Sequence, residues 1–191
     1  LDRAARTRLG NLLRELQSLT GVPFLHVTHD HGEALHLATH LILLEAGRVV
    51  DRGDPETVLD GPGGPRETGE TLFRAEIVRH DDPAGYSEIE RGGVRLFCSR
   101  LEREIGTRAV FSLRSRDPLL AVAPPGPTSA RNVLAGTIRS IEADGPGRRV
   151  TVQTPHPLRV NVTPSAVEEL ELVPGKRVYL LIKASALRCL T

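Results

Sequence analysis

Aromatic side chains are scarce in this sequence: they make up 3% of the residues, and tryptophan is absent. The core must therefore be filled mainly by aliphatic side chains. No apolar run approaches the ~20 residues that a membrane-spanning helix needs. The net charge is only +1, and no basic stripe dominates the chain. A nucleic-acid footprint requires such a stripe, so we expect no nucleic-acid partner.

Methionine and cysteine are also rare. The chain has no methionine, even at position 1, and begins inside a helical pattern. We therefore expect it to be the C-terminal part of a longer protein. Cys98 and Cys189 lack metal-site spacing and indicate two reduced thiols in a cytoplasmic protein, with a disulfide between them left open. His36 and His40 have helical spacing but no partners for a closed site, so we predict no metal.

The first third of the chain has the alternating helix and strand signals of an α/β protein. An amphipathic helix packed on one face is predicted from five leucines at helical spacing: Leu9, Leu12, Leu13, Leu16 and Leu19. Thr20 and Gly21 end this helix. Phe24 to Thr28 is short and apolar, which favours a buried strand, and His31 to Thr39 favours a helix.

Two further strands and a helix start follow. Leu41 to Leu44 and Arg48 to Asp51 are predicted to pair as a hairpin around Ala46-Gly47. Pro55 stands in the first turn of another helix. Residues 1–59 are therefore predicted to be the closing part of a larger α/β domain. Residues 60–69, rich in glycine and proline, are predicted to be a linker.

Beyond the linker, apolar residues alternate with polar ones, as in Phe73 to Ile77 and Val178 to Ile182. This period of two, with turns such as Gly92-Gly93, predicts small β-barrels. A nine-residue segment starting at Gly106 is similar to one starting at Gly175, which indicates an internal repeat. We predict two OB-like lobes, residues 70–123 and 128–191, so that the fold class is α/β followed by all-β.

His29 stands where the predicted strand meets the predicted helix, at the sheet edge where α/β proteins bind ligands. Residues 1–59 resemble the end of an ABC-transporter ATPase domain in the order and spacing of Asp2, Thr28-His29-Asp30, and Glu45 to Val50. The resemblance implies that His29 is the catalytic switch histidine, which contacts the terminal phosphate of ATP bound with Mg²⁺. It also implies that Asp2 belongs to the D-loop at a dimer interface.

The phosphate-binding parts of such a domain are not in this sequence. A Gly-rich loop with Lys and Ser/Thr, the signature motif and the Walker B acidic pair are all missing. We therefore expect these 191 residues alone to be inactive as an ATPase. The intact parent would be an ABC-type ATPase.

A polar segment, Ser129-Ala130-Arg131-Asn132, opens the second lobe, and Lys183 and Ser185 lie near its end. This arrangement resembles the molybdate-binding Mop version of the TOBE domain. The resemblance implies that these segments bind molybdate or tungstate. Hydroxyl and amide donors with little cationic charge suit a tetrahedral dianion. The candidate oxyanion ligands are Ser129, Ala130, Arg131, Asn132, Lys183 and Ser185.

Together the two resemblances imply the ATP-hydrolysing subunit of a molybdate or tungstate importer. Its expected partners are a second copy of itself and integral-membrane permease subunits, at the cytoplasmic face of the bacterial inner membrane. Two alternatives stay open. One is the ATPase subunit of an importer for sulfate, a sugar or a polyamine. The other is a stand-alone cytoplasmic molybdate-binding module.

Overall fold

The structure, a computed structural model, describes residues 3–60 and 69–190. The described part is mostly β-sheet, with one long helix and a few short ones. Its elements in chain order are α1 (Arg3–Thr20), α2 (His31–Leu37), β1 (Leu41–Glu45), β2 (Arg48–Gly53), α3 (Pro55–Asp60), β3 (Glu70–Asp81), β4 (Tyr86–Arg91), β5 (Val94–Ser99), β6 (Arg108–Arg114), β7 (Leu119–Ala121), β8 (Asn132–Asp144), β9 (Gly147–Gln153), β10 (Leu158–Val162), α4 (Pro164–Glu169), β11 (Arg177–Ile182) and β12 (Arg188–Cys189).

Helix α1 ends where the sequence predicts. Gly21 adopts a left-handed conformation with φ +67°, and its N–H closes the last turn on the Gln17 carbonyl. The expectation that the leucine stripe is packed was wrong in this structure: Leu12 and Leu19 are largely exposed. The helix instead approaches α2 through Gly10, beside the side chains of His36 and Leu37.

The predicted strand from Phe24 to Thr28 was also wrong. Residues 21–30 form an irregular segment, and Leu25 and Val27 are almost fully exposed. A strand is held by backbone hydrogen bonds to neighbouring strands. None of the described strands pairs with this segment. Its apolar side chains are therefore not buried by a sheet in the described part of the chain.

The rest of the N-terminal region follows the predictions. Helix α2 begins at His31, strands β1 and β2 pair antiparallel, and Ala46 and Gly47 turn between them at positive φ. Helix α3 begins at Pro55, where the Asp54 carboxylate accepts the free N–H groups of the first turn. Within residues 3–60, the sheet is this two-stranded hairpin. The α/β domain that the sequence predicts is not visible as a layered fold.

Two five-stranded antiparallel sheets form the remainder. Their strand orders are β12-β6-β3-β4-β5, which we call lobe 1, and β10-β9-β8-β11-β7, which we call lobe 2. Strand β11 of lobe 2 alternates between buried and partly exposed residues, as the period of two predicts, whereas β6 of lobe 1 is buried over five consecutive residues. This OB-like part of the predicted fold class is confirmed.

The internal repeat is confirmed by matching hydrogen bonds. Gly106 and Gly175, both at positive φ, donate to Ile77 and Ile138 at 2.7 Å and 2.8 Å. Immediately after Ile77 and Ile138, a register shift interrupts β3 and β8. Strands β3, β4 and β6 of lobe 1 therefore correspond to β8, β9 and β11 of lobe 2.

The lobes exchange their fifth strands. Strand β7 follows lobe 1 along the chain but pairs with β11 of lobe 2. Strand β12 follows lobe 2 but pairs with β6 of lobe 1, through Arg188 with Ser112 and Cys189 with Phe111. Each lobe is thus completed by a strand from the other half of the repeat. The predicted limits of the two lobes stay a prediction, since these strands cross them.

One apolar cluster runs through both lobes, from Phe73 and Phe111 to Val178 and Leu180. Cys98 lies within it, fully buried, and donates to the Ser87 carbonyl. Burial raises the pKa of the Cys98 thiol to about 11. Both cysteines are free thiols, as the sequence indicates.

Candidate functional site

The structure brings the two candidate oxyanion-binding segments to one end of lobe 2. Asn132 is the first residue of β8 and pairs with Ile182, the last residue of β11. Residues 129–131 and 183–185 therefore continue from the same end of this strand pair. Lys183 is the N-cap of a short 3-10 helix, Ala184–Ala186. We call this region the polar end of lobe 2.

Asn132 is buried at the polar end, where it joins the lobes. Its Oδ1 accepts from the backbone N–H of Phe97 at 2.7 Å, and its Nδ2 donates to the carbonyls of Phe97 and Ile182. Both amide hydrogens are therefore engaged. A bond from this amide to an oxyanion would have to replace one of them, and its role as a ligand stays a prediction.

The other candidate side chains at the polar end are accessible. Ser129, Lys183 and Ser185 are exposed, and Ala130 donates its backbone N–H to the Thr128 hydroxyl. Arg131 is exposed as well, with its guanidinium carbon 5.4 Å from the centre of the Tyr86 ring in lobe 1. This cation–π contact holds Arg131 across the junction of the lobes.

The corresponding end of lobe 1 has a different charge pattern. By the register of the repeat, Glu70 and Arg114 take the places of Arg131 and Lys183. Arg114 Nε donates to the Glu70 carboxylate at 3.0 Å. The lobe 1 end thus carries an internal ion pair, whereas the lobe 2 end carries two cations. Of these two equivalent ends, the one in lobe 2 has the charge that attracts an anion.

His29 lies in a short turn that hydrogen bonds hold in place at the start of α2. The Thr28 hydroxyl donates to the Glu33 carboxylate at 2.6 Å, and Asp30 caps the helix by accepting from the Glu33 N–H. The Thr28 hydrogen bond is the main cause of the lowered pKa of Glu33. His29 itself is exposed, so its imidazole is accessible to a ligand. Asp2 lies outside the described residues.

Sequence reasoning missed the residues that hold α2 against lobe 1. Arg74 of β3 donates from Nε to the Leu35 carbonyl at 2.9 Å and from Nη2 to the Ala38 carbonyl at 2.7 Å. It thereby satisfies carbonyls that the helix end leaves unpaired. Arg74 occupies a polar position of an alternating strand, which resembles a solvent-facing residue. Only the packing of β3 against α2 in the folded protein shows that its partners are the carbonyls of Leu35 and Ala38.

Glu56 of α3 extends this contact. Its carboxylate accepts from the backbone N–H of Arg74 at 3.1 Å and from Nη2 of Arg91 at 3.0 Å. The Arg91 guanidinium also lies 4.8 Å from the centre of the Phe73 ring. The Arg91 carbonyl accepts from the ring of His156 in lobe 2. Glu56, Arg74 and Arg91 therefore connect the N-terminal region to lobe 1, and the His156 hydrogen bond connects lobe 1 to lobe 2.

Two kinds of feature are absent from the described residues. In residues 3–60 and 69–190, no three His, Cys, Asp or Glu side chains gather as a metal ion requires. None of the helices in the same residues is both long and apolar enough to cross a membrane.

Comparison with known proteins defines the class of the second lobe and then the relatives of the chain. Residues 128–188 match the TOBE domain. The chain is 32% identical to the molybdenum import ATP-binding protein ModC of Paramagnetospirillum magneticum, over 96% of this chain and 52% of that protein. It is 30% identical to ModC of Rhizobium meliloti, over 98% of this chain and 54% of that protein. The resemblance found in the sequence is thereby confirmed.

The chain spans about half the length of the curated relatives it matches. Among solved structures, a molybdate-bound crystal structure of the cytoplasmic molybdate-binding protein ModG matches with a TM-score of 0.55. The match has 24% identity and covers 65% of this chain and 98% of that one. At this identity, the similarity supports the fold of the lobes.

Proposed function

We propose that this chain is the C-terminal part of the ATP-hydrolysing subunit of a molybdate or tungstate importer, and that the polar end of lobe 2 binds the oxyanion. The observation that supports the proposal is the pairing of Asn132 with Ile182, from which the segments that carry two cations and two serines both continue at one end of lobe 2. The similarity to molybdenum import proteins over nearly the whole chain supports the same conclusion.

The chemistry of the polar end suits a tetrahedral dianion. Ser129 and Ser185 offer hydroxyl donors, and the backbone beside Ala130 offers N–H groups. Arg131 and Lys183 supply positive charge, and hydrogen bonds from charged donors are the shorter and stronger ones. Among the described residues, Ser129, Lys183 and Ser185 have no ring contact or ion pair. These three side chains can therefore turn toward an anion at little cost.

His29 fits the role that the ABC resemblance implies. In its neutral form, an exposed imidazole can donate one hydrogen bond to a phosphate oxygen and accept another. ATP with Mg²⁺ supplies the phosphoryl group when bound, and His29 contributes to orienting it. The turn of Thr28, Asp30 and Glu33 fixes the backbone beside the ring. Asp2 would belong to the D-loop of this proposed domain, residues 1–59.

The proposed partners follow from the same assignment. In the intact protein, two copies would close on ATP at the cytoplasmic face of the bacterial inner membrane, beside permease subunits. The exposed apolar residues of α1 and of residues 22–27 agree with this, since a full ATPase domain would supply a surface for them. Residues 60–69 would link that domain to the lobes.

Calorimetry with the 191-residue chain tests the oxyanion site. We expect binding of molybdate and tungstate, with weaker binding of sulfate. Arg131→Gln and Lys183→Gln are each expected to lower the molybdate affinity by about tenfold or more, since a hydrogen bond to a charged group contributes about 1.5–3 kcal/mol.

Arg108→Gln is the matched control, because Arg108 is an exposed arginine of lobe 1 that pairs with Glu76. It is expected to leave the affinity unchanged. Absence of molybdate binding by the unmodified chain would reject the site. Equal affinity for sulfate would favour an importer of another substrate.

A further inference from the structure

The last residues of the chain connect the polar end of lobe 2 to helix α2. From Lys183 the chain forms the short 3-10 helix and buries Leu187. It then crosses to lobe 1 as β12, and Leu190 donates its backbone N–H to the Val110 carbonyl at 2.7 Å. We call residues 183–190 the crossing segment.

The end of the crossing segment lies beneath the first turn of α2. A Cβ atom added to Gly32 would stand 3.1 Å from Cδ1 of Leu190, which is tighter than an ordinary contact. Leu190 also packs against the buried cluster of Leu35, Leu59, Leu72 and Val110. Gly32 is three residues from His29. The position of the Leu190 side chain therefore limits where the His29 turn can lie.

The two ends of α2 are held by different parts of the protein. Arg74 of β3 binds the last carbonyls of the helix, through Leu35 and Ala38. Leu190, which directly follows the exchanged strand β12, supports the first turn at Gly32. Seven helical residues span only about 10 Å. A change at the crossing segment consequently acts on the end of α2 that carries His29.

We propose that Leu190 is a positioning residue for the His29 turn. An oxyanion bound at Lys183 and Ser185 restrains the crossing segment, and Leu190 transfers that restraint to Gly32. This inference rests on the proposed function, and it assigns to Leu190 the contact that connects the polar end of lobe 2 to the His29 turn. Such coupling requires that the ligand favour one arrangement of the connecting element.

Hydrogen exchange of the 191-residue chain with and without molybdate tests the proposal. The amides of Ala34 and Ala38 report on α2, because they donate to the carbonyls of Asp30 and Ala34. We expect molybdate to slow their exchange by about fivefold or more, the lower end of typical couplings between sites. Leu190→Ala is expected to abolish this difference, whereas the volume-conserving Leu190→Met is expected to keep it.

Leu119→Ala is the control, since Leu119 is an exposed leucine on the other exchanged strand. It is expected to leave the molybdate-dependent difference intact. A general loss of structure would speed exchange equally with and without molybdate, so the difference separates positioning from stability. Should Leu190→Ala fail to fold, Leu190→Val is expected to give a reduced difference.

Calorimetry on the same samples distinguishes a failure of this inference from a failure of the proposed function. If the unmodified chain binds molybdate but exchange at Ala34 and Ala38 does not change, the inference is overturned and the proposed site stands. The same holds if Leu190→Ala responds like the unmodified chain. If the unmodified chain binds no molybdate, the proposed function fails, and the inference fails with it.

Discussion

Lobes 1 and 2 share strand order, bulge position and turn glycines, yet their equivalent outer faces have different surroundings. Leu72 and Val110 on lobe 1 are buried beneath α2 and α3. Their counterparts on lobe 2 are Val133, which is 41% exposed, and Tyr179, which is partly exposed. The difference shows that burial at these positions is set by what covers the sheet. The alternating pattern of each strand does not decide it.

The exchanged strands also connect the two lobes to each other. Each lobe depends on the other for its fifth strand, and Asn132 ties their backbones together at the polar end of lobe 2. At the same place in lobe 1 stands Thr71, also buried. The repeat has therefore kept one backbone design while its two copies acquired different contacts and different charges.

The comparison of the outer faces predicts unequal costs for truncating equivalent apolar residues. Leu72→Ala removes a side chain packed against Leu35 and Val110 and is expected to cost about 2–4 kcal/mol of unfolding free energy. Val133→Ala should cost less than about 0.5 kcal/mol, because exposed substitutions are nearly neutral. Denaturant titration measures both. Similar losses would mean that the two faces are equally covered in solution.

The next largest loss of stability is expected at the junction of the lobes. Asn132→Ala leaves the Phe97 N–H and two carbonyls without their partner and is expected to cost about 2–3 kcal/mol. Ser129→Ala, three residues away and exposed, is the control and should be nearly neutral in stability. Urea unfolding of the two variants gives the comparison. A neutral Asn132→Ala would show that this amide does not hold the lobes together.

Gly136 of lobe 2 corresponds to Ala75 of lobe 1, so the two lobes differ at this position by one Cβ atom. A Cβ on Gly136 would lie 2.7 Å from the backbone oxygen of Gln153, which cannot easily move. Gly136→Ala is therefore expected to destabilise by about 1–3 kcal/mol. Gly126→Ala is the control, since nothing lies within 4 Å of the added atom. Equal thermal stability of the two variants would contradict the predicted clash.

A local effect of pH is expected in the N-terminal region relative to the lobes. Burial, aided by Arg14, lowers the pKa of His36 from 6.5 to about 4. The unfolded region binds this proton first, so its stability is complete above about pH 6.5 and falls as the pH drops toward 4. The protection of the α1 and α2 amides, measured as each exchange rate relative to the intrinsic rate at the same pH, should therefore fall in that window before protection in the lobes does.

His36→Gln tests the assignment of this pH dependence. It should make the protection of the α1 and α2 amides less dependent on pH, leaving the contribution of His31, whose pKa burial also lowers. The ring of His36 contacts Asn11 of α1, so glutamine keeps a polar group at that contact. An unchanged pH profile in this variant would assign the effect to other groups.

Prediction from sequence succeeded where a local pattern sufficed. The end of α1 at Gly21, the β1–β2 hairpin and the start of α3 at Pro55 depend on residues a few positions apart. It failed for Phe24 to Thr28, because an apolar run becomes a strand only when a neighbouring strand accepts its hydrogen bonds. The prediction that the leucine stripe of α1 is packed failed for a similar reason, since a helix face is buried only where another element packs on it.

For the candidate site, the sequence located both polar segments of lobe 2, and the structure showed that they share one strand end. The engaged amide of Asn132, the Arg74 contact with α2 and the exchange of β12 had no sequence signal. Each depends on which distant backbone lies opposite a residue. That relation follows from sheet register and strand order.

The sequence by itself determined the helices of the N-terminal region, the alternation of the lobes, their repeat and the residue types at the polar end. These follow from short-range spacing and from the conformational limits of glycine and proline. Only the tertiary structure decided that the two copies exchange strands, that one outer face is covered and the other bare, and that Leu190 reaches Gly32. Those outcomes arise from contacts between residues far apart in the chain, whose energies no local pattern contains.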